Sequence, residues 1–196
     1  MPLQKIKFNN VGPLQALEWD NLEGLNVILG NNASGKTFLL KTLFASLKAL
    51  EDAQGKEQRS LKQLIEHRLQ WTFQLPLKEN KKETAVQFKE LITYKQESLS
   101  VALTNENQET VDYRLTPQGV EQMHDRWKNK QPSRCIFLPA KEVLFLAPFV
   151  QQQKLAKEYS LDDTYHELIK AIQILPPVGS NNTVFRAYPK KLEESF

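Results

Sequence analysis

Residues Gly30-Asn31-Asn32-Ala33-Ser34-Gly35-Lys36-Thr37 fill every fixed position of the spacing G-x-x-x-x-G-K-[ST]. Each type has a chemical reason to be there. Gly30 and Gly35 permit a backbone tight enough for consecutive N–H groups to converge on one anion. Lys36 brings a positive charge that can reach the β- and γ-phosphates of a nucleoside triphosphate, and the Thr37 hydroxyl can ligate Mg²⁺. A helix beginning at this point adds the positive end of its dipole. The pattern predicts a nucleoside triphosphate with Mg²⁺ as the ligand. Gly30, Asn31, Asn32, Ala33, Ser34, Gly35, Lys36, Thr37 and Phe38 are the nucleotide-contacting residues, and Thr37 is the metal ligand.

Such a loop works only if a strand and a helix hold it. Leu25, Val27, Ile28 and Leu29 form an apolar run of buried-strand type, and Phe38 to Leu50 has helical spacing. Upstream, Ile6 and Phe8 alternate with Lys5 and Lys7. The pairs Asn9-Asn10 and Gly12-Pro13 signal a turn, and Leu14, Ala16 and Trp19 continue as a second strand. Two strands ahead of the loop set this chain apart from small kinases, which usually reach their loop on the first strand.

Beyond Asp52, a surface connection with Gly55 as helix stop precedes two helical patterns. One contains Leu61, Leu64, Ile65 and Leu69, the other Ala85, Phe88, Leu91 and Ile92, with Pro76 to Lys82 as a polar linker between them. Leu99, Val101 and Leu103 alternate with polar neighbours, as do Val111, Tyr113 and Leu115 across the turn at Asn105 to Gln108, which predicts a hairpin. Thr116-Pro117 reads as a helix start running to about Lys128. Cys135 to Leu138 reads as a strand, followed by Pro139 to Glu142. Ser160 and Asp163 resemble a capping box opening a helix with Leu161, Tyr165, Leu168, Ile169 and Ile172 on one face.

Composition narrows the function classes. A chain of 196 residues with 40% hydrophobic and 25% charged residues is ordinary for a globular protein and can bury a core. The net charge of +3 gives no argument for nucleic acid, and Lys78, Lys81 and Lys82 are interleaved with Glu79 and Glu83. The lone Cys135 allows no internal disulfide and suits a reducing cytoplasm, where it reads as a buried strand thiol. His67, His124 and His166 are too scattered for a metal site. No stretch approaches the length of a membrane span, so a cytoplasmic protein is expected.

The span Lys5 to Leu43 resembles the opening of ABC-type ATPase heads, above all the AAA-family ATPases related to the SMC, RecF and OLD nuclease groups. Their loop commonly reads Gly-x-Asn-(Gly/Ala)-Ser-Gly-Lys-(Ser/Thr), and Asn32, Ser34 and Thr37 match it. Phe137-Leu138-Pro139-Ala140-Lys141-Glu142-Val143-Leu144 is similar to a strand-end motif of these proteins, with the helix at Asp162 to Ile174 following in similar order. The resemblance implies an α/β fold: a P-loop NTPase core joined to an antiparallel β layer, as in the N-terminal lobe of an ABC ATPase. It also implies ATP hydrolysis between two heads, as a homodimer or with a partner head, driving a partner that acts on DNA or in phage defence.

Rapid hydrolysis needs an acidic side chain at the end of an apolar strand. No run of about four apolar residues ends in Asp or Asp-Glu here, and no Leu-Ser-Gly-Gly-like signature occurs. Asp162-Asp163 follows a polar stretch and reads as a helix start. Glu142, beside Lys141, is the one candidate catalytic acid, with a structural loop role as the alternative. The expected organisation is a single N-terminal lobe over 1–196, with the Walker B half supplied elsewhere. Residues 1–50 would hold strands, loop and first helix, 51–134 a helical and hairpin insertion, and 135–196 a strand and helices. GTP is disfavoured because Asn129-Lys130-Gln131-Pro132 lacks the base-reading Asp of Asn-Lys-x-Asp. A small-molecule kinase would need an arginine-rich lid, whereas Arg59, Arg68, Arg114, Arg126, Arg134 and Arg186 stand singly. A non-catalytic ATP-sensing or scaffold module is the remaining alternative.

Overall fold

The structure, a computed structural model, describes residues 3–53, 59–80, 83–128 and 135–138 together with Thr164, Glu167 and Leu168. Alternation builds its main sheet. In β5 (Leu99–Asn105) every second residue is buried, and in β6 (Thr110–Thr116) Val111, Tyr113 and Leu115 point the same way. β1 (Leu3–Val11) adds Ile6 and Phe8, so rows of apolar side chains cross the strands: Ile6–Leu103–Val111 and Phe8–Val101–Tyr113. With β2 (Leu14–Trp19) and β7 (Gly119–Asp125) the order is β2-β1-β5-β6-β7, antiparallel throughout. One face carries the core; the other carries Lys7, Ser100, Asp112 and Arg114, the division expected of an antiparallel sheet wet on one side.

Helix α1 (Lys36–Asp52) buries Leu39, Thr42, Ala45, Ser46, Ala49 and Leu50, a stripe at helical spacing. It is tied to the sheet through a buried polar contact, Ser46 Oγ to the Tyr113 hydroxyl at 2.9 Å. Burial pushes the Tyr113 phenol well above its ordinary pKa, outweighing the opposing effect of the Ser46 bond, so the hydroxyl stays protonated. Helix α2 (Leu61–Phe73) starts with a full capping box. The Gln63 N–H donates to Ser60 Oγ at 3.3 Å, and the Ser60 N–H donates to Gln63 Oε1 at 3.0 Å. It packs along α1, with the Phe38 and Phe73 rings 4.7 Å apart.

An ion cluster closes the far end of α1. Lys48 Nζ lies 2.8 Å from Glu51 and 2.9 Å from Glu167, while Arg68 reaches Asp52 and Glu167. Burial works against the Lys48 charge, but the bonds to Glu51 and Glu167 outweigh it and hold the ammonium above its ordinary pKa. A raised folded-state value means that this contribution to stability is complete below the ordinary lysine pKa. It is lost only as pH rises through the raised one. Asp52 opens an Asp-x-x-Gly spacing, Asp52-Ala53-Gln54-Gly55, of the sort that reads a γ-phosphate. The seventeen residues of α1, rising about 1.5 Å each, carry it some 24 Å from the loop, and its carboxylate is held by Arg68.

Several sequence expectations fail. The first turn is confined to Gly12-Pro13, because Asn9 and Asn10 still belong to β1. The expected linker at Pro76 to Lys82 contains β3 (Leu77–Asn80). The expected helix at Ala85 to Ile92 is instead β4 (Glu83–Val86), paired with β3, and a short 3-10 turn, Phe88–Leu91. The expected helix after Thr116-Pro117 is β7. Thr116 pairs with Gly119 across a two-residue turn, and Gly119 adopts φ +143 where a Cβ would meet Glu66 Oε1 at 2.6 Å.

The segment Leu25 to Leu29 is not a strand among the described residues. Leu25 and Leu29 are each 87% exposed and Val27 64%, while Ile28 faces the core. Within it, Asn26 Nδ2 donates to the carbonyl of Glu23, just upstream, at 2.6 Å. Cys135 to Leu138 is likewise irregular, with Ile136 and Leu138 exposed. Cys135 is partly buried; burial, with Glu51 nearby, pushes its thiol up to about 11, so it is neutral near pH 7 and no nucleophile. The expected helix at Asp162 to Ile174 is helical at Thr164, Glu167 and Leu168. Pro139 to Leu144, including Glu142, and Gly55 lie outside the described residues.

The phosphate loop as candidate functional site

The loop keeps its place at the head of α1 even though no strand leads into it. Gly35 is the N-cap, in a left-handed conformation at φ 92, with no side-chain cap bond and no acidic residue in the first turn. The first intrahelical bond runs from the Leu39 N–H to the Gly35 carbonyl at 2.8 Å. The amides of Lys36, Thr37 and Phe38 precede it and are the ones a helix leaves for an outside acceptor. An anion would meet those amides and the positive dipole end together.

Gly35 is fixed by what surrounds it. A Cβ there would stand 2.8 Å from Pro13 Cγ and 3.1 Å from Leu14 Cγ, so the turn between β1 and β2 presses directly on the loop. The same turn leans on Phe38, whose ring would lie 2.6 Å from a Cβ on Gly12. Ala33 also sits at positive φ, 63, and the Ser34 N–H donates to the Asn31 carbonyl at 3.3 Å, curling the loop back on itself. Pro13 and residues 32–38 line a hollow of about 350 Å³. Among the described residues its lining includes no acidic side chain.

Lys36 folds over this hollow. Its ammonium donates to the Gly30 and Asn31 carbonyls, each at 2.6 Å, with Ser34 Oγ at 3.4 Å. The cation therefore lies across the mouth of the loop, on groups that it can exchange for phosphate oxygens. Thr37 is exposed beside it, at the second position of the helix. ATP–Mg²⁺ fits what is present: outward amides, an ammonium at the mouth, an accessible hydroxyl, and a cradle that a Cβ would fill. Thr37 would hold the metal, whose charge would offset that of the phosphates.

Of the nine loop residues named from sequence, Asn32 to Phe38 line the hollow, and Gly30 and Asn31 meet Lys36 through their carbonyls. The turn at Gly12-Pro13 was expected, but its closeness to the loop and the residue that grips it were missed: Thr93 Oγ1 donates to the Gly12 carbonyl at 2.7 Å, and the Thr93 N–H to the Asn10 carbonyl at 2.9 Å. No local signal ties residue 93 to residue 12; the pairing exists only in the folded sheet, where Val11 and Ile92 form an isolated bridge. Among the described residues no group of His, Cys, Asp and Glu could hold a metal, and no helix is long and apolar enough to cross a membrane.

The Gly35 geometry gives a direct test. Alanine there would be strained by about 1–3 kcal/mol at this φ and would collide with Pro13. Gly35→Ala should weaken ATP binding at least tenfold in a calorimetric titration. Unchanged affinity would show that the loop does not depend on this close approach.

No family model matches the chain, and no curated protein matches it. Among solved structures it is similar to one from work on ATP-driven dimerization and DNA-stimulated activation of SMC ATPases. The identity is 11%, the match covers 90% of this chain and 93% of that one, and the TM-score is 0.39. At that level the likeness adds nothing to the chemistry argued from the loop.

Proposed function

We propose that this chain is the ATP-binding lobe of an ABC-type P-loop ATPase. It would hydrolyse ATP when an acidic residue from a C-terminal half joins the site, and two such heads would meet in the active state. The observation that carries the reading is the complete G-x-x-x-x-G-K-[ST] loop lying at an uncapped helix N-terminus with its lysine across the mouth. The antiparallel layer of early strands and the Leu99 to Leu115 hairpin agrees with the lobe that the resemblance implies. The exposed apolar residues Leu25, Val27 and Leu29, immediately before the loop, supply an edge on which a further strand could bring that acid near. Dimerisation and any action on DNA belong to this proposal and rest on the family resemblance alone.

A second reading, a module that binds ATP without hydrolysing it, draws on the hollow's lining, which holds no acidic side chain among the described residues. Both readings require Thr37 to serve the metal. Thr37→Ala should abolish the Mg²⁺ dependence of ATP binding while leaving a weaker, metal-independent affinity, because the hydroxyl meets the ion and the amides meet the phosphates. A Mg²⁺ titration identical to that of the unaltered protein would remove this role.

A further inference from the structure

We propose that Thr93 is a positioning residue for the phosphate loop: its hydroxyl fixes the Gly12-Pro13 turn, and the turn holds Gly35 and Phe38 where the helix amides meet a triphosphate. This rests on the ATP-binding reading and names a residue, remote in sequence from the loop, on which that affinity depends.

Pro13 shares the hollow with residues 32–38. A Cβ on Gly35 would stand 2.8 Å from Pro13 Cγ, and one on Gly12 would stand 2.6 Å from Phe38 Cε1. The turn therefore bears on the two residues that flank Lys36 and Thr37. Both belong to the site: Gly35 is the N-cap of α1, and Phe38 carries one of the amides ahead of the first intrahelical bond. One wall of the hollow is thus the tip of a hairpin. Exposed tips are where order is most easily lost, and here Gly12 takes φ 54 while Pro13 has no N–H to tie it down.

Thr93 supplies the missing restraint. Its Oγ1 donates to the carbonyls of Gly12, at 2.7 Å, and Leu14, at 3.3 Å, the residues on either side of Pro13. Backbone bonds lay the same segment along the hairpin: the Thr93 N–H donates to the Asn10 carbonyl at 2.9 Å, and the Gly12 N–H to the Leu91 carbonyl at 2.7 Å. Those bonds stop at Gly12, whereas the hydroxyl reaches past the proline to Leu14. A binding constellation must be held within about 0.5 Å of its productive geometry, so a wall gripped from both sides matters to the loop it presses on. Valine has nearly the shape of threonine. It would keep the backbone bonds and lose the grip.

The experiment titrates the full chain calorimetrically with ATP–Mg²⁺ and with inorganic tripolyphosphate, which occupies the loop but has no base. Thr93→Val should weaken both by the same factor, about fivefold, as expected for one neutral hydrogen bond. Thr93→Ser, which keeps the hydroxyl, should bind both like the unaltered protein. A residue that only steadies the fold would lower the thermal midpoint and leave both affinities unchanged, and that result would overturn the assignment. A loss confined to ATP would overturn it too, because Thr93 would then act at the base end of the ligand. Pro13→Ala, at an exposed position, removes the ring that transmits the grip. It should weaken both ligands by itself, and adding Thr93→Val should then cost little more. Fully additive losses would show that Thr93 does not act through the turn. Should Thr93→Val not fold, unaltered affinities in Pro13→Ala would overturn the proposal alone. Normal binding by Thr93→Val, with Lys36→Ala defective, would remove the positioning role and leave the phosphate loop intact. Failure of the unaltered protein to bind either ligand would overturn the ATP-binding reading beneath it.

Discussion

Lys36→Ala should weaken ATP binding by about 2–4 kcal/mol, roughly 30- to 900-fold, while the fold stays intact. The ammonium now donates to two loop carbonyls, Gly30 and Asn31, both exposed enough to find water when the lysine is gone. Its removal therefore costs little in the free protein. In the complex it removes a charge-assisted contact to a polyanion, and the neighbouring phosphate oxygens lose a cation that solvent replaces poorly. The loss should be largest for ATP, smaller for ADP and smallest for AMP, which follows the reach of the side chain to the β- and γ-phosphates. ATP affinity within threefold of the unaltered protein, with the thermal midpoint unchanged, would remove the phosphate-loop assignment.

How much of this was readable in advance depended on how local each signal is. The loop chemistry is carried by eight adjacent residues, so the sequence contains nearly all of it. The strands of the hairpin were legible because one face is buried: Leu99, Val101 and Leu103 alternate with polar residues for that reason alone. β7 was not. It is an edge strand, Glu121, Gln122, His124 and Asp125 are exposed, and little apolar period remains to read. Thr116-Pro117 is equally good chemistry for a helix start and for a tight turn, and Gly119 at positive φ decides for the turn. The two outer positions of the 3-10 turn, Phe88 and Leu91, are both buried, so a single turn at spacing three imitated a helix.

The run Leu25 to Leu29 is the most instructive failure. Its composition is that of a strand covered on both sides, yet it lies unpaired among the described residues, with three of its side chains in water. Apolar side chains so exposed, placed directly before a functional loop, have more to gain from burial than from solvent; each well-covered aliphatic side chain contributes about 1.5–3 kcal/mol. The composition is thus explained by a state in which another element covers this edge.

The same edge bears on catalysis. Binding needs the loop amides, Lys36 and Thr37, and all are in place. Hydrolysis also needs a positioned water and an acidic group beside the metal, and the described residues lining the hollow include no acidic one. The 196-residue chain alone should therefore bind ATP–Mg²⁺ yet turn it over far below the roughly 1–10³ s⁻¹ usual for enzymes. Supplying a C-terminal half that carries an apolar strand ending in Asp-Glu, fused or as a separate polypeptide, should restore turnover. If two heads must meet, the rate per head should rise with protein concentration. Amide exchange at residues 25–29 should slow in the same sample, because a covering strand would take up the N–H groups of this run. Turnover near 1 s⁻¹ by the isolated chain, lost in Lys36→Ala, would sink this account. An acid already within the chain would then be catalytic, and Glu142→Gln is the variant that would identify it.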